Sequence, residues 1–240
     1  MRNLAFFHGR WNYKDGDLLA LHLHLPENWT NHELTVFISH SSIEKGIAAE
    51  IKAELVKYGV YAFLAHEDVE PAVQWRKVIL ATLRSCHVFL ALSSKNFNSS
   101  HWCQQEVGYA LVASKAFIAI KIDEPPQAFA NETQAITYKG AIETTDKLMH
   151  TLLKSTASEQ TVTCLSKHLM NANTYKHASQ LANLLMRQKR ISAINAQHIR
   201  KAMAESTQVQ RADYDKLLPS LEKWLDTCVQ DDDDIQDPFA

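Results

Sequence analysis

Between residues 35 and 142, short apolar runs alternate with segments whose apolar residues recur at helical spacing, and this alternation restricts the fold more than any other feature. Strands separated by helices pair in parallel through right-handed crossovers, with helices covering both faces of the sheet. The sequence therefore predicts a compact α/β domain with a flavodoxin-like, five-stranded parallel sheet. The predicted strands are residues 35–38, 60–65, 88–92, 117–122 and 135–138.

Three helices are predicted between these strands. The first has an isoleucine or leucine at every fourth position and ends before Gly59, where a helix C-cap belongs. The second begins at Trp75 and buries one face at i, i+3, i+4 and i+7 spacing. The third covers residues 101–114. The apolar residues of the first helix are Ile43, Ile47, Ile51 and Leu55.

The flanking segments have different patterns. We assign residues 1–34 to an extension without an identified function; its His22 and His24 lack a visible third metal ligand. After the α/β domain, residues 35–145, helical periodicity predicts a small all-α module over residues 146–229. Residues 230–240 form an acidic tail that we expect to be disordered. The helices predicted in the module are residues 148–154, 162–170, 175–186, 196–205 and 214–227.

Composition excludes several classes of protein. The chain has 240 residues and 46% hydrophobic content, enough for a full core. Its 25 Lys and Arg residues against 27 Asp and Glu leave a net charge of -2, so nucleic acid is not a predicted partner. No apolar stretch approaches the ~20 residues that span a bilayer. We therefore expect a cytoplasmic protein with no membrane partner. The four cysteines form no CxxC pair, which predicts neither a zinc site nor disulfides.

The predicted sheet places a cleft beside Glu106. Open parallel sheets bind ligands beyond the carboxyl ends of their strands, where the strand order reverses. In the order 2-1-3-4-5 this point lies between strands one and three. The loop after strand one begins with Ser39 and His40, and the loop after strand three, residues 93–100, leads to Glu106. The acidic loop at residues 66–74 is a candidate lid over the same cleft.

Two motifs carry a family resemblance. VFISHSSIE at residues 36–44 and SSHWCQQE at residues 99–106 resemble the Toll/interleukin-1 receptor (TIR) domain family, in its prokaryotic NAD-cleaving form, over roughly residues 35–145. The most specific pattern is Ser-x-x-Trp-Cys-x-x-Glu, which ends at Glu106. The resemblance implies that Glu106 is the catalytic glutamate and that a helical extension follows the domain. Glu44 stands where an aspartate is common in the family.

The chemistry of NAD+ explains how one carboxylate can suffice. Glycoside hydrolysis ordinarily needs an acid for the leaving group and a second carboxylate. Nicotinamide leaves a cationic pyridinium as a neutral base, so no general acid is required. An ionised Glu106 would then stabilise the positive charge that develops on the ribose, and we expect its position near a helix N-terminus to favour ionisation. NAD+ would be consumed as the substrate, with no bound cofactor and no metal.

The residues around Glu106 are candidates for binding this substrate, although each also has a structural explanation. Ser39 and His40 can bind ribose or phosphate, whereas Ser41 is equally explained as a helix N-cap. A tryptophan near a helix start can stack on the substrate or simply pack in the core. Cys103 lacks an evident base and is interpreted as packing. The predicted substrate-binding residues are Ser39, His40, Asp68, Trp75, Arg76, Ser99 and Trp102.

Two functions of different classes follow. The first is an NAD+ glycohydrolase or cyclase that releases nicotinamide and yields ADP-ribose or a cyclic isomer, in prokaryotic antiphage immune signalling. The resemblance implies a homo-oligomer formed through TIR–TIR contacts and a downstream effector that responds to an ADP-ribose product. The alternative is a non-catalytic TIR scaffold that acts by homotypic assembly. The Ser-x-x-Trp-Cys-x-x-Glu spacing favours the enzyme, because a scaffold has no need of Glu106 in a cleft.

Overall fold

The computed structural model describes residues 25–64, 75–127, 130, 134–212 and 216–230. Its main sheet has five parallel strands in the order β2-β1-β3-β4-β5, which confirms the predicted flavodoxin-like fold. The strands are β1 (Thr35–Ser39), β2 (Tyr61–Leu64), β3 (Val88–Ser93), β4 (Ala116–Lys121) and β5 (Ile136–Thr137). The helices that connect and follow them are α1 (Lys45–Val56), α2 (Trp75–Ser85), α3 (Lys95–Ser99), α4 (His101–Val112) and α5 (Ala141–Leu152).

The two faces of the sheet have separate hydrophobic cores because successive strand residues point to opposite faces. One face carries a row of phenylalanines in register across four strands, with ring centroids 5.4–5.7 Å apart. Helices α2, α3 and α4 pack on this face. The other face, formed by aliphatic residues, is covered by α1 and α5. The phenylalanines are Phe63, Phe37, Phe89 and Phe117.

The start of α1 differs from the prediction. Ile43 lies in a 3-10 turn, Ser42–Glu44, and is 73% exposed, so it does not belong to the buried face of the helix. The turn rotates Ile43 away from the stripe that Ile51 and Leu55 continue. The predicted end of the helix is confirmed, because Gly59 has a left-handed φ of 77°. A Cβ at Gly59 would lie 2.8 Å from the imidazole of His168.

The C-terminal region is helical, as predicted. Its helices share one continuous core with the α1/α5 face of the sheet, and α5 itself crosses the predicted boundary between residues 145 and 146. The shared core places the C-terminal helices directly on the α/β domain. A short parallel pair, β6 (Ile191–Ser192) and β7 (Val229–Gln230), joins two parts of this region. Its helices are α6 (Ser158–His168), α7 (Tyr175–Leu185), α8 (Ala193–Glu205), α9 (Thr207–Arg211) and α10 (Leu217–Cys228).

Part of the N-terminal extension packs on the sheet. Trp29 is buried against the aromatic face, and its indole Nε1 donates a hydrogen bond of 2.8 Å to Ser85 Oγ. Leu34 is also fully buried. His22, His24 and residues 231–240 lie outside the described residues. No helix in the described part of the chain is long and apolar enough to cross a membrane.

Candidate active site

A cleft of about 420 Å³ lies beyond the carboxyl ends of β1 and β3, at the predicted reversal of strand order. The 39–43 segment after β1 forms one wall. Helices α3 and α4 form the other, and α2 contributes Ile79. Five residues singled out from the sequence therefore meet in one cleft. They are Ser39, His40, Ser99, Trp102 and Glu106.

Glu106 is joined to β1 by a hydrogen bond. Ser39 is buried at the last position of β1, and its hydroxyl donates to Glu106 Oε2 at 2.5 Å. Hydroxyl–carboxylate bonds of this length are among the strong charge-assisted kind. The bond fixes the carboxyl of an α4 residue at the end of β1, in the wall of the cleft.

The surroundings of Glu106 change its acidity. Burial raises the pKa of the Glu106 carboxyl to about 7, because desolvation disfavours the charged form, and the Ser39 hydrogen bond opposes this rise. Burial therefore opposes the ionisation that the sequence-based argument expected from a helix N-terminus. Glu106 is the sixth residue of α4, whereas the dipole effect is confined to the first turn.

Helix α4 begins at a cap that directs its residues toward the cleft. The hydroxyl of Ser100 accepts from the backbone N–H of Cys103 at 3.3 Å, so Ser100 is the N-cap of α4. Ser99, the predicted binding residue, lines the cleft but donates its hydroxyl hydrogen to the carbonyl oxygen of Lys95 at 2.9 Å. Ser99 therefore offers a ligand mainly its oxygen as an acceptor.

Trp102 and Arg76 form the rim. The indole of Trp102 is 47% exposed, and the guanidinium carbon of Arg76 lies 5.6 Å from the centroid of its ring. This distance is typical of a cation–π contact. Arg76 thus places a positive charge beside the cleft without lining its described wall. Of Trp75 only the backbone, at the start of α2, is described, and Asp68 and the candidate lid lie outside the described residues.

Two other residues lining the cleft are buried. His40 is 4% exposed, and its Nδ1 lies 3.4 Å from the carbonyl oxygen of Ile38. Cys103 is 3% exposed, and burial raises the pKa of its thiol to about 11. The thiol is therefore protonated at neutral pH, which supports the interpretation of Cys103 as a packing residue.

Glu44 links the two loops that form the cleft. Its buried carboxylate accepts hydrogen bonds from the hydroxyl of Ser41, from Ser94 Oγ at 2.8 Å and from Asn96 Nδ2 at 3.2 Å. No sequence pattern indicated Ser94 and Asn96 as partners of Glu44, because they lie about 50 residues away. The longer side chain at this position reaches across to the loop after β3.

Comparison with known proteins identifies the domain that carries this cleft. The family model described as TIR domain matches residues 36–153, from β1 to the end of α5. No curated protein matches the chain in sequence. Among solved structures, the chain is similar to the Clostridium botulinum CMP N-glycosidase BcmB, with 19% identity, a TM-score of 0.36, and coverage of 48% of this chain and 97% of that chain. Residues 36–153 of the chain are therefore a TIR domain.

Proposed function

We propose that the TIR domain cleaves the nicotinamide–ribose bond of NAD+ and releases nicotinamide with ADP-ribose or a cyclic isomer. The observation that carries the proposal is the position of Glu106, whose carboxyl is held by Ser39 in the wall of a cleft at the strand-order reversal. The cleft volume of about 420 Å³ is within the range of small-molecule sites. Its wall is apolar and hydroxyl-rich, as a nucleoside requires.

Cleavage of this bond needs charge stabilisation more than proton transfer. Nicotinamide departs as a neutral base and takes the electron pair of the C–N bond, while positive charge develops on the ribose. The Glu106 carboxylate lies where it can face that charge, in a partly desolvated site where electrostatic interactions are strong. The Ser39 hydroxyl holds the carboxylate in place and stabilises its ionised form.

The cationic nicotinamide ring of the substrate affects the ionisation of Glu106. A positive charge within a few ångströms lowers the pKa of a neighbouring carboxyl. The pyridinium ring of NAD+ would therefore favour the carboxylate form of Glu106, whose pKa of about 7 otherwise leaves it partly protonated at neutral pH. Trp102 offers an exposed aromatic surface beside this ring, and Arg76 over the indole supplies positive charge for the diphosphate.

The family resemblance extends this proposal to prokaryotic immune signalling, with a homo-oligomeric enzyme and an effector that responds to the ADP-ribose product. Assembly is supported by the exposed apolar residues of α4, where Tyr109 is 37% and Val112 80% exposed. The same surface favours the second candidate function, a scaffold that acts only through homotypic contacts. The two functions differ in their requirement for Glu106.

Turnover of NAD+ by purified protein tests the proposal. Wild type, Glu106→Gln and the control Glu222→Gln, an exposed glutamate on α10, are incubated with NAD+ over a range of protein concentrations. Chromatography separates nicotinamide from ADP-ribose and its cyclic isomers. We expect wild type and Glu222→Gln to release nicotinamide, and Glu106→Gln to be slower by about a hundredfold or more, the usual cost of losing an electrostatic stabiliser.

Equal turnover of NAD+ by wild type and Glu106→Gln would contradict the assignment of Glu106 as the catalytic residue. If none of the three proteins cleaves NAD+ at any concentration, and all three self-associate in sedimentation experiments, the scaffold function is favoured. The second product distinguishes hydrolysis from cyclisation.

A further inference from the structure

A second groove, of about 450 Å³, lies among the C-terminal helices, between the end of α5 and the turn that follows α7. It is separate in residues from the cleft at Glu106. Its described lining is strongly basic, since it contains four lysines or arginines and one histidine and no carboxylate. The lining residues are His150, Leu153, Lys154, Arg187, Gln188, Lys189 and Arg190.

Within the described part of the chain, no carboxylate forms an ion pair with the positive charges of this groove. Other lysines on the described surface, such as Lys147 and Lys167, pair with a glutamate. Among the described residues, none of the four cations of the groove lies within 4.0 Å of a carboxylate. The carboxylate of Asp146 lies 3.8 Å from His150 Nε2 and lines a neighbouring groove that shares His150 and Arg187 with this one.

The positive charges of this groove affect the pKa of His150. Burial lowers the pKa of His150, and the positive charges of Arg187 and Lys154 lower it further, against the opposing effect of Asp146. Arg187 and Lys154 therefore both lie close enough to act on His150, and the groove gathers positive charge around it. Repulsion between neighbouring positive charges slightly raises the free energy of the folded state, and a bound anion offsets this repulsion.

The backbone that carries three of the cations is fixed at both ends. On one side, Trp224 Nε1 donates a hydrogen bond of 3.0 Å to the carbonyl oxygen of Gln188. On the other, Ile191 is buried and pairs with Val229 in the short parallel sheet. The turn therefore presents its charges from a defined position, which lowers the entropic cost of binding.

We infer that this groove binds a phosphate-bearing small molecule of nucleotide size with more than one negative charge. The guanidinium groups of Arg187 and Arg190 suit phosphate because they donate in a planar fork, and two lysines add point charges. A volume of about 450 Å³ accommodates a nucleotide. Nucleic acid is a poorer match because the chain carries a net charge of -2 and the basic residues are gathered in one concave groove.

Calorimetric titration at fixed ionic strength tests the inference. Inorganic phosphate, pyrophosphate, ADP and a 20-nucleotide single-stranded DNA are titrated into wild type and the double variant Arg187→Gln/Arg190→Gln. The matched control, Lys201→Gln/Lys223→Gln, removes two positive charges elsewhere on the helices. Trp102→Ala serves as a variant of the first cleft.

We expect pyrophosphate and ADP to bind wild type and the lysine control alike. Their dissociation constants should rise about tenfold for each arginine removed, since each charge-assisted hydrogen bond to phosphate contributes about that factor. Tighter binding of ADP than of pyrophosphate identifies a nucleotide, and equal affinity identifies the phosphate groups alone as what the groove recognises.

Three results would overturn the inference: no binding up to millimolar concentration, equal affinity in the arginine variant, or loss of binding in Trp102→Ala alone. Preferential binding of the oligonucleotide would replace the small ligand with nucleic acid. Circular dichroism of each variant confirms that the helices remain folded. Because none of these titrations depends on cleavage of NAD+, the result is independent of the proposed activity.

Discussion

The acidity of Glu106 is set mainly by burial, whose effect one neighbouring hydroxyl opposes. Because the Ser39 hydrogen bond lowers the Glu106 pKa against the larger effect of burial, Ser39→Ala should raise that pKa above about 7. If the carboxylate is the active form, kcat/KM for NAD+ rises with pH and its midpoint reports the free enzyme. We expect a midpoint near 7 in wild type and a higher one in Ser39→Ala. Ser220→Ala, on exposed α10, is the control, and a midpoint unchanged by Ser39→Ala would contradict this role.

Burial of Glu106 also destabilises the fold at high pH. Its folded pKa of about 7 lies above its ordinary value of 4.5, so the native state holds the proton more strongly than the unfolded chain. Stability associated with this proton is present below pH 4.5 and is lost as pH rises through about 7. Glu106→Gln should therefore increase the free energy of unfolding, little at pH 4.5 and by on the order of 3 kcal/mol at pH 8.

Urea unfolding at several pH values measures this effect. Glu222→Gln is a suitable control because Glu222 is exposed. If Glu106→Gln increases the free energy of unfolding by the same amount at every pH, the cause is improved packing and not removal of a buried charge. Such a stabilising change at the cost of activity is the usual trade-off at a functional site.

At the scale of elements, the turn between α1 and β2 depends on Gly59. Alanine at this position is strained in two ways, since φ is 77° and a Cβ would lie 2.8 Å from the His168 ring. We expect Gly59→Ala to lower the free energy of unfolding by at least about 1–2 kcal/mol. Gly46, within α1, is the matched control: a Cβ there meets nothing within 4 Å. Gly46→Ala should stabilise the fold by about 0.4–1 kcal/mol.

The double variant Gly59→Ala/His168→Ala separates the two causes. It relieves the contact with the ring and leaves the left-handed backbone strained. Comparison with His168→Ala alone by chemical denaturation then isolates the backbone contribution. If Gly59→Ala is as stable as wild type, neither strain nor contact operates in solution.

The C-terminal helices and the TIR domain should unfold together. Helix α6 donates from Cys164 Sγ to the carbonyl oxygen of Tyr58 at 3.4 Å, and Gln180 Nε2 of α7 donates to the Tyr58 hydroxyl at 2.6 Å. His177 Nε2 lies 2.5 Å from the carbonyl oxygen of Lys57. These contacts accompany the continuous hydrophobic core, so we expect one calorimetric transition for the whole chain.

Truncation tests this coupling. A chain ending at Leu153, the last residue of the family match, loses the helices that share the core and should unfold or aggregate. Each fully buried leucine contributes about 1.5–3 kcal/mol, and the net stability of a protein is only about 5–15 kcal/mol. A chain ending at Gln230 serves as the control and should keep wild-type stability. Two separate transitions in the whole chain, or a stable 1–153 fragment, would contradict the shared core.

The sequence by itself determined the alternation of strands and helices, the strand order and the position of Glu106 at the point where that order reverses. These features follow from the spacing of apolar residues within short segments, because a strand and a helix each present one face at a characteristic period. The TIR motif placed Glu106 on a helix beside the cleft for the same local reason.

The tertiary structure alone decided how Glu106 ionises, which groups Glu44 binds and where the C-terminal helices pack. Each depends on groups distant in sequence: Ser39 lies 67 residues before Glu106, and Ser94 lies 50 residues after Glu44. Desolvation is likewise a property of the assembled surroundings, and it outweighed the local helix argument that favoured an ionised Glu106. The exposure of Ile43 also depends on tertiary structure. Ile43 lies in a 3-10 turn, and the Glu44 side chain of that turn accepts a hydrogen bond from Ser94 in the loop after β3.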